Sequence, residues 1–135
     1  GEKDWQQLAV IDTLVRDLNL DIFVHRVPLV REPDGLAMSS RNRNLTSKER
    51  QKALSLSRSL EDAKEKISQG TTAASQLKQS IKDRITAESG MQIDYISICD
   101  PISLQEIEEV KGRTLIALAV KIGSSRLIDN CIVED

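Results

Sequence analysis

Thr114-Leu115-Ile116-Ala117-Leu118-Ala119-Val120-Lys121-Ile122 is a nearly unbroken apolar run, and the fold follows from what flanks it. A run this apolar reads as a central strand covered on both faces. Two further strands are expected beside it. Ile93–Ile98 (IDYISI) alternates apolar and polar residues, and Leu127–Val133 (LIDNCIV) supplies the third. Upstream, Thr46-Ser47-Lys48-Glu49 is a T-x-x-E capping box that opens a long helix. Its apolar stripe is Ala53, Leu56, Leu60, Ala63 and Ile67, and Gly70 stops it. A second helix starts near Thr72, carries Leu77, Ile81 and Ile85, and stops at Gly90. The connection is short, so the two helices should pack antiparallel. Ser103-Leu104-Gln105-Glu106 is a second S-x-x-E box, expected to open a short helix through Val110 that ends at Gly112. These elements make a small α+β domain over residues 31–135, with a three-stranded antiparallel sheet and helices on one face.

The first thirty residues read differently. Leu8, Ile11, Leu14, Val15 and Leu18 follow a helical period after Asp4, a natural N-cap, and Asn19 closes the helix. Asp21–Val30 (DIFVHRVPLV) then reads as a buried strand. Helix followed by strand is half of a βαβ unit, and the partner strands are missing from this sequence. Residues 1–30 are therefore expected to be the remnant of a separate parallel-sheet domain, with unpaired strand edge and exposed apolar surface. The chain opens at Gly1 rather than Met, inside a motif, which suggests a piece of a longer protein.

Composition narrows the function. With 39% hydrophobic and 30% charged residues the chain has the balance of a folded globular protein. Trp5, Phe23 and Tyr95 are its only aromatic residues, so the core must be aliphatic and no platform exists for stacking unpaired bases. A net charge of −2 gives no basic field for nucleic acid or anionic membrane. Cys99 and Cys131 lack metal-site spacing and lie in strand-like runs, as small hydrophobes of a reducing, cytoplasmic setting do. No apolar run approaches the length of a membrane span.

Two stretches remain that a scaffold does not need. Gly1-Glu2-Lys3-Asp4-Trp5-Gln6-Gln7 places a cation and a carboxylate at a helix N-terminus, where free amides and the helix dipole attract anions. Lys3 adds a mobile charge suited to phosphate; Asp4 can cap the helix or accept from a ribose hydroxyl; Gln7 lies one turn on from Lys3. Asp34-Gly35-Leu36-Ala37-Met38-Ser39-Ser40-Arg41-Asn42-Arg43-Asn44 is a loop in which two hydroxyls and a guanidinium fall within three positions. Such donors suit an oxyanion that changes charge during group transfer. It is no Walker A loop. Spacing alone also admits a plain capped helix start and an ordinary surface loop. His25, the only histidine, reads as a structural or edge residue. Glu106, Glu108 and Glu109 read as the polar face of the short helix, and Arg126 with Asp129 as an ion pair bracketing a turn before the last strand.

Taken in order, GEKD-x-QQ, REPDGLA-M-SSRN and RLIDN resemble the pantothenate synthetase (pantoate–β-alanine ligase) family over essentially the whole chain. The resemblance implies an N-terminal Rossmann-type domain carrying a HIGH-like motif, and a smaller C-terminal lid domain over the active site. Residues 1–30 would end the first and residues 31–135 form the lid. It also implies a two-step reaction in which pantoate and Mg2+-ATP give pantoyl adenylate and pyrophosphate, after which β-alanine displaces AMP. By resemblance Gly1, Glu2, Lys3, Asp4, Val30, Met38, Ser39, Ser40 and Arg41 bind ATP, with Lys3, Ser39, Ser40 and Arg41 acting on the phosphates. Gln7 matches the position that holds pantoate. The serine–arginine loop is the counterpart of the KMSKS loop of class I aminoacyl-tRNA synthetases.

No HIGH-like histidine pair is present, so this chain alone is expected to be inactive while its parent makes pantothenate. The parent is expected to be a cytoplasmic homodimer, joined mainly through the domain absent here. Some members of the family continue into a cytidylate kinase domain. The competing expectations are a non-catalytic interaction or regulatory module that keeps the lid fold, and a different adenylate-forming enzyme with a KMSKS-like loop. The GEKD-x-QQ string argues against the last.

Overall fold

A computed structural model describes residues 1–134. In chain order the elements are α1 (Trp5–Asp17), a 3-10 turn (Ser40–Asn44), α2 (Ser47–Ser68), α3 (Ala74–Thr86), β1 (Met91–Cys99), β2 (Thr114–Ile122) and β3 (Ser125–Val133). The strands form one antiparallel sheet in the order β1-β2-β3, with β2 in the middle. Thr114 pairs with Val133 and Ile122 with Ser125, so the Gly123-Ser124 turn joins two strands in continuous register. A bulge between Ile93 and Tyr95 shifts the register of β1 against β2.

Every residue of the stripe expected on α2 is buried, as are Leu77, Ile81 and Ile85 of α3. They pack with Ile98, Ile116, Leu118 and Val120 into one aliphatic core on a single face of the sheet. α2 starts on the full capping box, with Thr46 and Glu49 bonding each other's backbone amides. It ends at Gly70, whose φ of 100° admits few other residues.

The opposite sheet face carries a smaller cluster. Trp5 from the start of α1 packs there against Cys99 and Leu115. Its indole N–H donates to the Pro101 carbonyl at 2.8 Å, which anchors the head of α1. The rest of α1 does not follow. Among the residues of its expected stripe Leu8 is buried, whereas Ile11, Leu14 and Leu18 stand exposed.

Three expectations need correction. Asp21–Val30 is not a strand, because it runs without a ladder, although Ile22, Phe23, Val27 and Val30 do present the exposed apolar surface expected of residues 1–30. A strand exists only where a neighbour accepts its backbone hydrogen bonds, and no described segment offers one here. The second capping box opens no helix. The Asp100 carboxylate takes the Ile102 and Ser103 amides at 2.9 and 2.7 Å, closing a turn in which Leu104 has φ of 59°. The chain then runs extended, with bridges from Glu106 to Cys99 and from Glu109 to Ala73. Val110, completely buried, donates its amide to Thr72. Tertiary partners thus outcompeted the local cap signal. Finally, Arg126 and Asp129 do not pair. No turn separates them within β3, and three residues of strand put them on opposite faces. Arg126 bonds Asp94 at 2.7 Å, and Asp129 bonds Arg31.

Candidate functional site

The site is assembled where the start of α1, the segment after residue 30 and strand β3 meet. Asp4 caps α1 by accepting the Gln7 amide at 3.2 Å, so the turn before the helix is fixed. Lys3 leaves this turn and donates from Nζ to the Met38 carbonyl at 2.7 Å. That bond joins the two stretches singled out in the sequence across 35 residues. The Met38 amide in turn donates to the Val30 carbonyl at 2.9 Å, which sets Val30 beside Met38. Both side chains are exposed.

The serine–arginine loop is short and regular. Ser39 N-caps the 3-10 turn, its Oγ accepting the Arg41 amide at 3.2 Å. Arg41 donates to the Arg126 carbonyl at 3.1 Å and so rests against β3. Ser40 stays exposed. Behind the loop, buried Asn42 donates to the Ala37 carbonyl at 3.1 Å and to Glu32 at 2.9 Å. Arg50 of α2 bridges Glu32 and Asp34, and Asn42 together with Arg50 holds the Glu32 carboxyl below its ordinary range. Gly35 turns this stem with φ of 95°, and a side chain there would face Ser57.

Electrostatics mark Lys3. Burial pushes its ammonium below the ordinary lysine pKa; Asp129 opposes that, and the nearby Arg41 charge adds to it. Two cations held close with partial desolvation are a place where an anion is favoured. An ammonium has three donors, so Lys3 can keep Met38 and still offer protons to an oxyanion.

Two cavities flank this point. One, of about 380 Å³, lies between Lys3, Asp4 and the sheet face bearing Tyr95, Ser97, Ala117 and Asn130. The other, of about 520 Å³, is lined by Met38, Ser39, Ser40 and Arg43 among others.

Of the residues expected at the site, Lys3, Val30, Met38, Ser39, Ser40 and Arg41 are brought together. Gly1 and Glu2 are tied to the neighbouring segment through the Glu2 amide, which donates to Val27 at 2.8 Å. Gln7 is exposed on α1, and among the described residues no side-chain hydrogen bond ties it to the group. His25 stands edge-on to Phe23 and away from this cluster's hydrogen bonds. Glu106 is neutralised by Lys78, which holds its carboxyl low.

Sequence reasoning missed the residues that hold the site rather than form it. Arg31 grips the buried Asp129 carboxylate through two bonds, of 2.8 and 2.9 Å, and also donates to the Gly35 carbonyl at 3.0 Å. Asn130 donates from Nδ2 to the carbonyls of both Glu2 and Lys3, at 2.8 and 2.9 Å. The RLIDN string was the available signal, but a pattern names no contacts.

Fold and site together define an α+β domain whose sheet edge carries a cationic, donor-rich cleft formed from chain-distant segments. Comparison with known proteins gives the family. The pantoate-beta-alanine ligase family model matches residues 1–132. Pantothenate synthetase of Acetivibrio thermocellus is 51% identical over 99% of this chain, and that of Heliobacterium modesticaldum 54%. The alignment takes up 48% of each of those proteins, so the chain spans about half the length of the curated relatives it matches.

Among solved structures, pantothenate synthetase from Thermus thermophilus superposes with a TM-score of 0.91 at 37% identity. It covers 97% of this chain and 47% of that one. Pantoate-beta-alanine ligase from Francisella tularensis, solved with β,γ-ATP and β-alanine, gives a TM-score of 0.60 at 30% identity. That match covers 98% of this chain and 41% of the other. The chain belongs to the pantoate-beta-alanine ligase family.

Proposed function

We propose that this chain is the C-terminal part of an ATP-dependent ligase that condenses pantoate with β-alanine, and that the Lys3–serine–arginine cluster holds the nucleotide phosphates. The observation that carries this reading is the Lys3–Met38 bond, which sets an ammonium against the loop bearing Ser39, Ser40 and Arg41. The nucleotide seen with the Francisella protein is in keeping with it.

In the first step a pantoate carboxylate oxygen bonds to the α-phosphorus of ATP as the bond to the bridging oxygen breaks, and pyrophosphate leaves. In the second the β-alanine amine attacks the acyl carbon, AMP leaves with the carbonyl-bound oxygen, and the amine sheds a proton. Neither step needs a protein nucleophile. The demands are alignment and neutralisation of charge on the departing pyrophosphate. Lys3 and Arg41 supply that charge, with Ser39 and Ser40 offering hydroxyl donors. The reading assigns Gly1, Glu2 and Asp4 to the ATP site, with Gly1 and Asp4 towards the adenosine, Val30 and Met38 to the adenine side, and Gln7 to pantoate. The described residues contain no cluster of three or more carboxylate, histidine or cysteine side chains suited to a metal ion. In this reading Mg2+ arrives on the phosphate oxygens as part of the substrate.

In this reading residues 1–30 pack with a preceding nucleotide-binding domain, residues 31–135 act as its lid, and the parent dimerises through that preceding domain. In the same reading these residues form one wall of the site and are not active by themselves. The test is pantoate- and β-alanine-dependent AMP release by the full-length protein, with Lys3→Ala beside it. A loss of roughly hundredfold or more in adenylate formation is expected from removing a charge-stabilising donor. A folded Lys3→Ala protein with near-normal rate would remove the assigned role, and a folded wild type without the reaction would remove the ligase itself.

A further inference from the structure

We infer that Asn130 is a positioning residue that holds Lys3 in place against the serine–arginine loop, with Asp129 fixing the stem of that loop from the other side of the same strand. The inference deepens the function proposed above and rests on it for the chemistry, though not for the geometry.

Successive residues of a strand point to opposite faces. On β3, Leu127, Cys131 and Val133 join the core beneath α2 and α3, whereas Ile132 packs with the Trp5 cluster on the other face. Asp129 lies opposite Leu118 and Asn130 opposite Ala117, one on each side. The dipeptide therefore reaches two segments that approach the sheet from different directions. Asp129, almost fully buried, takes both guanidinium nitrogens of Arg31. Arg31 bridges to Ala37 and donates to the Gly35 carbonyl, so the turn leading to Met38 is clamped. Asn130 commits its side-chain NH2 to the carbonyls of Glu2 and Lys3. A carboxamide is suited to this, because its NH2 can donate twice while its size stays that of aspartate.

Three residues before Asp129 on the same strand, the Arg126 carbonyl receives Arg41. One strand thus sets the relative position of the lysine backbone, the loop stem and the loop's guanidinium. Each contact is local to β3, yet together they fix a spacing between segments far apart in sequence. Asn130 touches no reacting atom in this scheme; it acts through Lys3.

The test pairs Asn130→Ala with Lys3→Ala in the full-length protein, by pantoate-dependent exchange of pyrophosphate into ATP. Misplacing a catalytic group by about an ångström lowers rates by up to ~100-fold. Asn130→Ala should therefore lower kcat by roughly tenfold to hundredfold, with the pantoate KM little changed. In the Lys3→Ala background the same substitution should have almost no further effect, because residues acting as one unit are non-additive. Equal losses in both backgrounds would overturn the inference, as would no loss at all.

A second measurement does not depend on activity. Following the Lys3 amine by NMR with pH, Asn130→Ala should move its titration up towards that of an ordinary lysine as the side chain is released to solvent; an unchanged titration would count against the inference. A wild type without ligase activity would thus defeat the proposed function while the titration still decided this point. If Asn130→Ala does not fold, Asn130→Asp keeps the volume and removes the donors. Failure of both to fold would mark the residue as structural and end the positioning role.

Discussion

In α2 the apolar stripe Ala53, Leu56, Leu60, Ala63 and Ile67 is buried throughout, whereas in α1 Ile11, Leu14 and Leu18 remain 42%, 52% and 61% exposed. Both helices repeat apolar residues at the same period, and both begin at a side-chain cap. What differs is the surface opposite. α2 lies on α3 and the sheet, so its stripe has apolar partners on all sides. Among the described residues α1 joins the cluster on the sheet through its first turns, at Trp5 and Ala9. A helical period fixes which face is apolar; it does not supply the surface that covers it.

The comparison can be broken most directly at Leu60. Leu60→Ala should cost about 2–5 kcal/mol in urea unfolding, since the fully buried site leaves a cavity in a close-packed core. A cost under about 1 kcal/mol would mean the helical layer is looser than its burial implies.

The two thiols separate the regions next. Cys131, in the body, has its thiol pushed up to about 12 by burial. Cys99 is raised too, again by burial, but it sits under Trp5 at the foot of α1. Alkylation of Cys99 should proceed about tenfold faster or more, because exposing it needs only the release of α1, whereas Cys131 requires opening of the body. Equal rates would show that the two regions open together. The raised thiol also sets a pH trend. An unfolded chain ionises this group near its ordinary 9.0, so stability contributed by the neutral thiol is full below that and falls as pH climbs towards about 12.

Smaller effects sharpen the picture. Thr46→Ala removes the cap of α2 and should cost about 1 kcal/mol by thermal or urea denaturation. Leu14→Ala, on the exposed stripe, should change the stability of this chain by no more than about 0.5 kcal/mol. A larger loss would mean that the α1 stripe is covered in solution, and sedimentation would then reveal a second copy on it.

Much of the fold was legible because its signals were local and agreed with its packing. The T-x-x-E box, the α2 and α3 stripes and the run Thr114–Ile122 each matched the element they indicated. Where a local signal met a stronger distant partner it failed. Ser103 and Glu106 spell a cap, but Asp100 took the free amides and Val110 was drawn into the core. Asp21–Val30 spells a strand, but no ladder is within reach. At the site, the residue types of the two donor stretches were readable, and their conjunction was not. Lys3 and Met38 are joined by a bond across 35 residues, and Asn130 reaches Lys3 across 127.

The amino-acid order alone determined the α+β class, the three-stranded antiparallel sheet and the helical layer, since propensity, capping and apolar period act over a few residues. It also determined the family likeness, through three motifs in a fixed order. Only the tertiary structure decided that Asp129 and Asn130 hold the two donor stretches from opposite faces of one strand, and that α1 is anchored to the sheet at its Trp5 end. Those outcomes depend on which distant groups meet at bonding distance. Sequence spacing carries no record of that.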